Sequence, residues 1–183
     1  MKDNSIRNVI FDYLEENNGK IRIFEESPIK NSRCDFYTVT DKLTGYEIKS
    51  DADSYERLAR QIKDYDAFFD ENYIIIGRTH RAHVAEKVPP YWGIICITDE
   101  EDGFIVETLR PAQKNSKLKR KNQLLKLWNN EITSISRRCK QTLYRGKSKS
   151  FRAGELIKKV DDERLREEIC AELFERDYKL SEE

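Results

Sequence analysis

Hydrophobic residues in the N-terminal part of the chain follow first a helical period and then a strand period. Residues 4–17 place apolar side chains at helical spacing, which predicts a helix. Three strands are predicted after it, over residues 20–27, 34–40 and 46–50. The first of these is expected to stop before Pro28, and residues 41–45 are expected to form the turn between the other two.

A second set of helices and strands follows. Ser50 to Ser54 is rich in capping residues and predicts the start of a helix that runs to about Phe69. Further on, the pattern predicts a strand over residues 72–77, a short helix over 79–86, and strands over 91–98 and 104–109. The resulting order, α-β-β-β-α-β-(α)-β-β, is typical of a mixed α/β core.

The chain changes character from Lys117 onward. Residues 118–140 carry leucine, tryptophan and isoleucine in a basic background, which predicts one long amphipathic helix. A loop over 145–150 and two helices over 153–159 and 161–176 are expected after it. We therefore predict a core domain of residues 1–112 and a basic helical extension of residues 113–183.

Charge separates along the chain although the net charge is zero. Residues 110–159 carry about +14, against −8 before them and −6 after them. Such a run is either a solvated helix face or a surface for a polyanion, and its size favours nucleic acid, DNA first, as the partner. The basic residues from which we expect these contacts are Lys119, Arg120, Lys121, Arg137, Arg138, Lys147 and Lys149.

Several classes of protein are excluded by simpler features. No apolar run approaches 18 residues and no signal peptide is visible, so we expect a soluble cytoplasmic protein without a membrane partner. The four cysteines are tens of residues apart, which argues against a zinc site. No phosphate-binding loop or nucleophile-elbow motif occurs.

The informative polar residues lie on the second and third strands. Glu47 and Lys49 are two apart, so their side chains leave one face of a strand. A hairpin would bring Asp35 from the preceding strand near Glu47. Two carboxylates suit Mg²⁺ or Mn²⁺, and the ammonium could serve an attacking water. The alternative is an exposed strand face that carries these charges without a function.

The helix that follows adds a polar stripe. Arg57, Gln61 and Tyr65 are four apart and share one helix face. They offer a cation and hydrogen-bond donors to a phosphate backbone or to the carboxylates. An ordinary exposed face is the alternative.

These residues resemble a known group of enzymes. The string GYEIKSDADSYERLARQIKDY (45–65) is similar to the PD-(D/E)XK nuclease superfamily, and its Q-x-x-x-Y portion to the RecB-like branch. With YWGI (91–94) and LWNNEI (127–132), the chain also resembles a little-characterised bacterial and phage family assigned to that superfamily. The resemblance implies a restriction-endonuclease-like core of order αβββαβ and a DNA phosphodiesterase activity that depends on Mg²⁺ or Mn²⁺.

The resemblance also implies roles for single residues. Asp35, Glu47, Lys49, Gln61 and Tyr65 would form the catalytic set, although Cys34 stands where proline is common. Many members add a carboxylate from the first helix, for which Glu15 and Glu16 are candidates. Glu26 is a further candidate metal ligand.

Two histidines and two tryptophans have simpler interpretations. His80 and His83 are three apart but lack a third ligand nearby, so we expect surface histidines. Trp92 and Trp128 are expected to be core or interface anchors, with base stacking as the alternative.

Two other functions stay open. One is a nuclease-like fold that binds nucleic acid or protein without catalysis, as a regulator that a phage could encode. The other is an RNA nuclease.

Overall fold

The computed structural model describes residues 3–101 and 103–176. The chain divides into two compact units. The sheet unit comprises Met1–Thr38 and Leu43–Leu118, and the helical unit comprises Val39–Lys42 and Lys119–Glu183.

The sheet unit has the mixed α/β character that the sequence predicts. Its six strands lie in the sheet in chain order. The elements are α1 (Asp3–Asn18), β1 (Arg22–Ile29), β2 (Ser32–Val39), β3 (Leu43–Lys49), α2 (Leu58–Asp66), β4 (Glu71–Ile76), α3 (Val84–Lys87), β5 (Gly93–Glu100) and β6 (Gly103–Arg110). The helix predicted over 79–86 is replaced by a single 3₁₀ turn at Arg78–His80 and the four-residue α3.

Strand directions follow from the lengths of the connections. Strand β3 runs parallel to β4, and β4 runs parallel to β5, with connections that contain helices. Strand β6 returns antiparallel to β5. Neighbours β1, β2 and β3 are joined by only two and three residues, too few for a parallel crossover, so they form an antiparallel meander.

The two faces of β3 have different surroundings because successive side chains on a strand point to opposite sides. Tyr46 and Ile48 belong to a core cluster that α1 covers with Ile6, Ile10 and Leu14. Glu47 and Lys49 point the other way, where they meet the side chains of α2. Alternation along one strand therefore separates the core from the candidate site.

Two boundary predictions in the meander are wrong. Strand β1 continues through Pro28 to Ile29. It is an edge strand, where a residue without an N–H is tolerated. Gly45 lies inside β3 instead of in the turn. A Cβ at this position would lie 2.2 Å from the Phe69 ring, so glycine here makes room for packing.

Helix α2 starts later than predicted, at Leu58. The expected capping residues form a separate turn, in which Asp53 Oδ2 accepts hydrogen bonds from the Ser50 N–H at 2.8 Å and the Ser50 hydroxyl at 2.6 Å. Polar side chains that satisfy nearby backbone in this way compete with helix formation.

The helical unit contains α4 (Arg120–Lys126), α5 (Asn129–Arg138), α6 (Lys149–Lys159) and α7 (Asp162–Glu175). The single long helix predicted over residues 118–140 is wrong, because Leu127 and Trp128 are extended. The Glu131 carboxylate accepts from the Trp128 N–H at 2.5 Å and starts α5, while Lys149 Nζ donates to the Leu127 carbonyl at 2.7 Å. These contacts stabilise two helix ends at the break.

Within residues 3–101 and 103–176, no helix is both long enough and apolar enough to cross a bilayer.

Candidate active site

Glu47 is the centre of a buried polar cluster. Its side chain projects from β3 and the residue is only 1% exposed. Oε1 accepts hydrogen bonds from Lys49 Nζ at 2.7 Å and from Gln61 Nε2 at 2.5 Å. Gln61 Oε1 lies 3.2 Å from Lys49 Nζ, so the three side chains close a triangle. Only the Gln61 orientation with its oxygen toward the ammonium satisfies both neighbours.

Tyr65 links the two predicted acids. Its hydroxyl lies 2.8 Å from Glu47 Oε2 and 3.0 Å from the Tyr46 carbonyl, and it accepts the Asp35 N–H at 3.2 Å. Burial first, and then the Glu47 charge, raises the pKa of the Tyr65 hydroxyl well above its usual value. Tyr65 therefore remains a neutral group that holds both strands near the site.

Asp35 is placed by the hairpin. Its Oδ2 accepts the Ile48 N–H at 2.7 Å, so the carboxylate lies beside β3 between Glu47 and Lys49. This contact brings Asp35 to β3, a proximity that the sequence leaves open. Asp35, Glu47 and Lys49 all line one cleft of about 440 Å³.

Arg7 is a cleft residue that sequence reasoning missed. It comes from α1, and its guanidinium donates to the Asp35 carbonyl at 3.1 Å and to Glu26 Oε1 at 2.5 Å. The distance from its Nη2 to Asp35 Oδ1 is 3.6 Å. An arginine 28 residues before Asp35 has no spacing signal that could have identified it.

The outer part of the cleft is basic. Arg57 and Arg60 line it and are exposed, and neither guanidinium has a partner among residues 3–101 and 103–176. Arg57 belongs to the predicted polar stripe, whereas Arg60 was missed. Two free guanidiniums beside a carboxylate cleft can bind an anionic ligand such as a phosphate chain.

Within the described ranges 3–101 and 103–176, no group of three or more histidine, cysteine, aspartate or glutamate residues could hold a metal ion. Magnesium needs fewer protein ligands, since one or two carboxylates with water and substrate phosphate are sufficient. Asp35 and Glu47 line one cleft and match that number of carboxylates, and both Glu47 oxygens also accept hydrogen bonds from protein groups.

The remaining candidate acids differ in position. Glu26 lines the cleft with a left-handed backbone (φ 48°), and its carboxylate is bound to Arg7 and to Arg33 at 2.5 and 2.8 Å. Its charge is thus already matched. Glu15 and Glu16 are exposed on α1 and are not among the cleft residues.

His80 and the two tryptophans have structural contacts, whereas His83 is exposed, as expected of a surface histidine. His80 Nε2 lies 2.9 Å from the Ser50 carbonyl, and the ring packs edge-on against Tyr55. Trp92 is fully buried and donates to Asp66 Oδ1 at 2.9 Å, which agrees with a core anchor. Trp128 packs under the Arg176 guanidinium, 4.5 Å from the ring centroid.

The basic residues predicted to bind nucleic acid fall into two groups. Four are exposed and have no side-chain ion pair within the described part of the chain, namely Lys119, Lys121, Arg137 and Lys147. The other three bind protein groups. Arg120 is buried and pairs with Asp162 at 2.9 Å, Arg138 pairs with Glu168 and Glu172, and Lys149 binds the carbonyl of Leu127. For these three the geometry supports a structural role.

Known proteins place the chain by family and not by reaction. No curated protein and no solved structure matches it. A family described as Bacteriophage P4 protein cII matches residues 1–183. The description names a phage protein and no chemical activity. The chain therefore belongs to the bacteriophage P4 protein cII family.

Proposed function

We propose that this protein is a metal-dependent nuclease that hydrolyses DNA phosphodiester bonds. The observation that carries the proposal is the 2.7 Å contact between Lys49 Nζ and Glu47 Oε1, in a cleft that Asp35 also lines. The order α1-β1-β2-β3-α2-β4, with β3 parallel to β4, supports a restriction-endonuclease-like core.

Each residue of the cleft has a task in this chemistry. Asp35 and Glu47 would hold Mg²⁺ or Mn²⁺, which lowers the pKa of a bound water and neutralises charge on the scissile phosphate. Lys49 orients the attacking water and stabilises the negative charge that develops on the phosphate. The water oxygen bonds to phosphorus as the bond to the sugar oxygen breaks; the water gives up a proton to solvent, and the leaving oxygen takes one up.

Gln61 and Tyr65 act through Glu47. Their contacts of 2.5 and 2.8 Å determine where the two carboxylate oxygens lie. We therefore regard them as positioning residues, whereas Arg57 and Arg60 would contact the phosphates on either side of the cleaved bond.

Replacing Lys49 tests the nuclease proposal. Lys49→Met retains the length of the side chain but removes its charge, so DNA cleavage in Mg²⁺ should fall by about 100-fold or more. Lys63→Met is the matched control, since Lys63 is an exposed lysine on α2, and it should cleave at the wild-type rate. Rates are measured below the melting temperature of every variant. Equal rates for wild type and Lys49→Met would overturn the assignment.

A second function is favoured by the family. The match to a phage protein with no stated reaction fits a phage-encoded regulatory protein, which binds nucleic acid or protein without turnover, better than it fits a nuclease. Such a regulator would bind its partner through the cleft arginines and the exposed lysines, without cleaving it. Fold and site resemblance do not by themselves establish catalysis.

One experiment separates these functions. Wild-type protein is incubated with single-stranded DNA, duplex DNA and single-stranded RNA, each with Mg²⁺, with Mn²⁺ and with EDTA, and both binding and cleavage are measured. Metal-dependent cleavage that Lys49→Met loses supports the nuclease, and its substrate preference distinguishes DNA from RNA. Binding without cleavage under every condition supports the regulator.

A further inference from the structure

Phe151 is an exposed aromatic residue in the basic helical unit. It lies in the first turn of α6 and is 43% exposed. Its ring meets that of Tyr144 edge-on, with centroids 5.3 Å apart. Tyr144 has a left-handed backbone (φ 48°), an uncommon conformation for a bulky residue. The loop before α6 therefore holds Tyr144 in an unfavourable backbone conformation when the Tyr144 ring contacts Phe151.

Cations surround this pair of rings. Lys147 Nζ lies 5.9 Å from the Phe151 centroid, near the outer limit of a cation–π attraction, so it is weakly held. Lys159 Nζ lies 4.9 Å from the Tyr144 centroid. Arg145 is exposed and has no side-chain partner within residues 3–101 and 103–176. An anionic ligand could recruit Arg145 and Lys147 at little cost.

The acid in the cluster is already neutralised. Glu155 binds Lys158 at 2.9 Å, Lys159 at 3.0 Å and the Tyr144 hydroxyl at 3.0 Å. It helps to hold Tyr144 against α6, and its charge is balanced by two lysines. The surface around Phe151 therefore stays positive.

We propose that Tyr144, Arg145, Lys147 and Phe151 form a binding site for single-stranded nucleic acid. A base stacks on the Phe151 ring, and the flanking phosphates bind Arg145 and Lys147. Exposed aromatic rings beside cations serve this purpose in proteins that bind single strands, because every base has a flat face. In a duplex those faces are covered by neighbouring bases, so the ring selects single strands over duplexes. The carboxylates of an acidic protein would pair with the cations, but they would not stack on the Phe151 ring.

Fluorescence anisotropy of full-length protein with labelled oligo-dT tests this site, in EDTA so that cleavage plays no part. Phe151→Ala should weaken binding of a 20-mer by about ten-fold, in line with the effect of removing one stacked base. Ile157→Ala is the matched control, because Ile157 is 39% exposed on the same helix and lies outside the cluster. It should bind as wild type does. Both substitutions remove exposed side chains, and melting curves check that both variants fold.

An abasic 20-mer isolates the contribution of the bases. Wild type should bind it more weakly than oligo-dT, and Phe151→Ala should bind the two equally. Equal wild-type affinity for both oligomers, or an unchanged dT affinity in Phe151→Ala, overturns the proposal and leaves contact with a protein as the use of the exposed ring. Because binding is measured without metal, failure of this site leaves the nuclease proposal untouched.

Discussion

Charged residues are used in opposite ways in the cleft of the sheet unit and on the surface of the helical unit. In the cleft, Glu47 and Lys49 are 1% and 7% exposed and bind each other directly. On the helical unit, Lys121 and Arg137 are exposed, and neither has a partner in the described part of the chain. Buried charges require partners, because an unpaired ion in a protein interior is costly. Exposed charges add little stability and remain available for a ligand.

Whether a charged residue is paired depends on its burial and not on the unit to which it belongs. The helical unit has a buried ion pair of its own, in which Arg176 Nε and Nη2 donate to Glu131 at 2.7 and 2.5 Å. Arg120 is likewise buried and pairs with Asp162. Basic composition therefore overstates how many cations can contact a polyanion.

The largest expected effect is loss of the buried carboxylate in the cleft. Glu47→Ala leaves the Lys49 ammonium buried without its acid, and the free energy of unfolding should fall by about 3–5 kcal/mol. Glu56→Ala is the control, since Glu56 is exposed just before α2 and should change stability by about 0.5 kcal/mol or less. Urea denaturation measures both. Similar decreases for the two variants would show that the cleft charges are not coupled as described.

Removing the exposed cations of the helical unit should weaken DNA binding with little change in stability. A variant with glutamine at Lys119, Lys121, Arg137 and Lys147 should bind duplex DNA with a log–log salt slope smaller by about 0.9 for each phosphate that is no longer neutralised. Arg120→Gln provides the opposite control: its pair with Asp162 predicts a stability decrease of about 1.5 kcal/mol and an unchanged slope. If the salt slope decreased in Arg120→Gln and not in the four-residue variant, Arg120 would be the DNA contact and the four exposed residues would not.

The smallest expected effect is an acid-dependent change near Glu155. Hydrogen bonds from Lys158, Lys159 and Tyr144 lower the pKa of Glu155 from 4.5 to about 2. A lowered folded-state pKa adds stability above pH 4.5, which disappears as the pH falls toward 2. Wild type should therefore have a higher melting temperature than Glu155→Gln at pH 6, and this gap should close toward pH 2. The two lysine partners are exposed, so the gap is small, and a gap independent of pH would contradict this explanation.

Much of the sheet unit could be predicted from local patterns. The helical period of residues 4–17 and the strands around residues 34–50 correspond to α1, β2 and β3. The two-residue spacing of Glu47 and Lys49 placed both side chains on one strand face, as the structure has them. These predictions succeed because a regular backbone repeats every few residues and determines where nearby side chains point.

The boundary predictions failed where contacts with side chains outside the predicted element overrode its local sequence pattern. Glycine is a common turn residue, but Gly45 lies within a strand, where the Phe69 ring packs against it. The helical pattern of 118–140 runs through Leu127 and Trp128, where Lys149 binds the carbonyl at the end of α4 and Glu131 starts α5. The packing of Phe69 on Gly45 has no signature in the residues beside Gly45, whereas Glu131 lies only three residues after Trp128 and belongs to a capping box that marks a helix start.

What the sequence by itself determined is the α/β class, the placement of an acid and a lysine on one strand face, and the concentration of basic residues in the C-terminal third. The tertiary structure alone decided which of those charges are neutralised and which stay free. It also brought Arg7 and Tyr65 to Asp35 across 28 and 30 residues. The physical reason is range: backbone periodicity acts over one or two turns, whereas burial and charge pairing depend on which distant surfaces pack together.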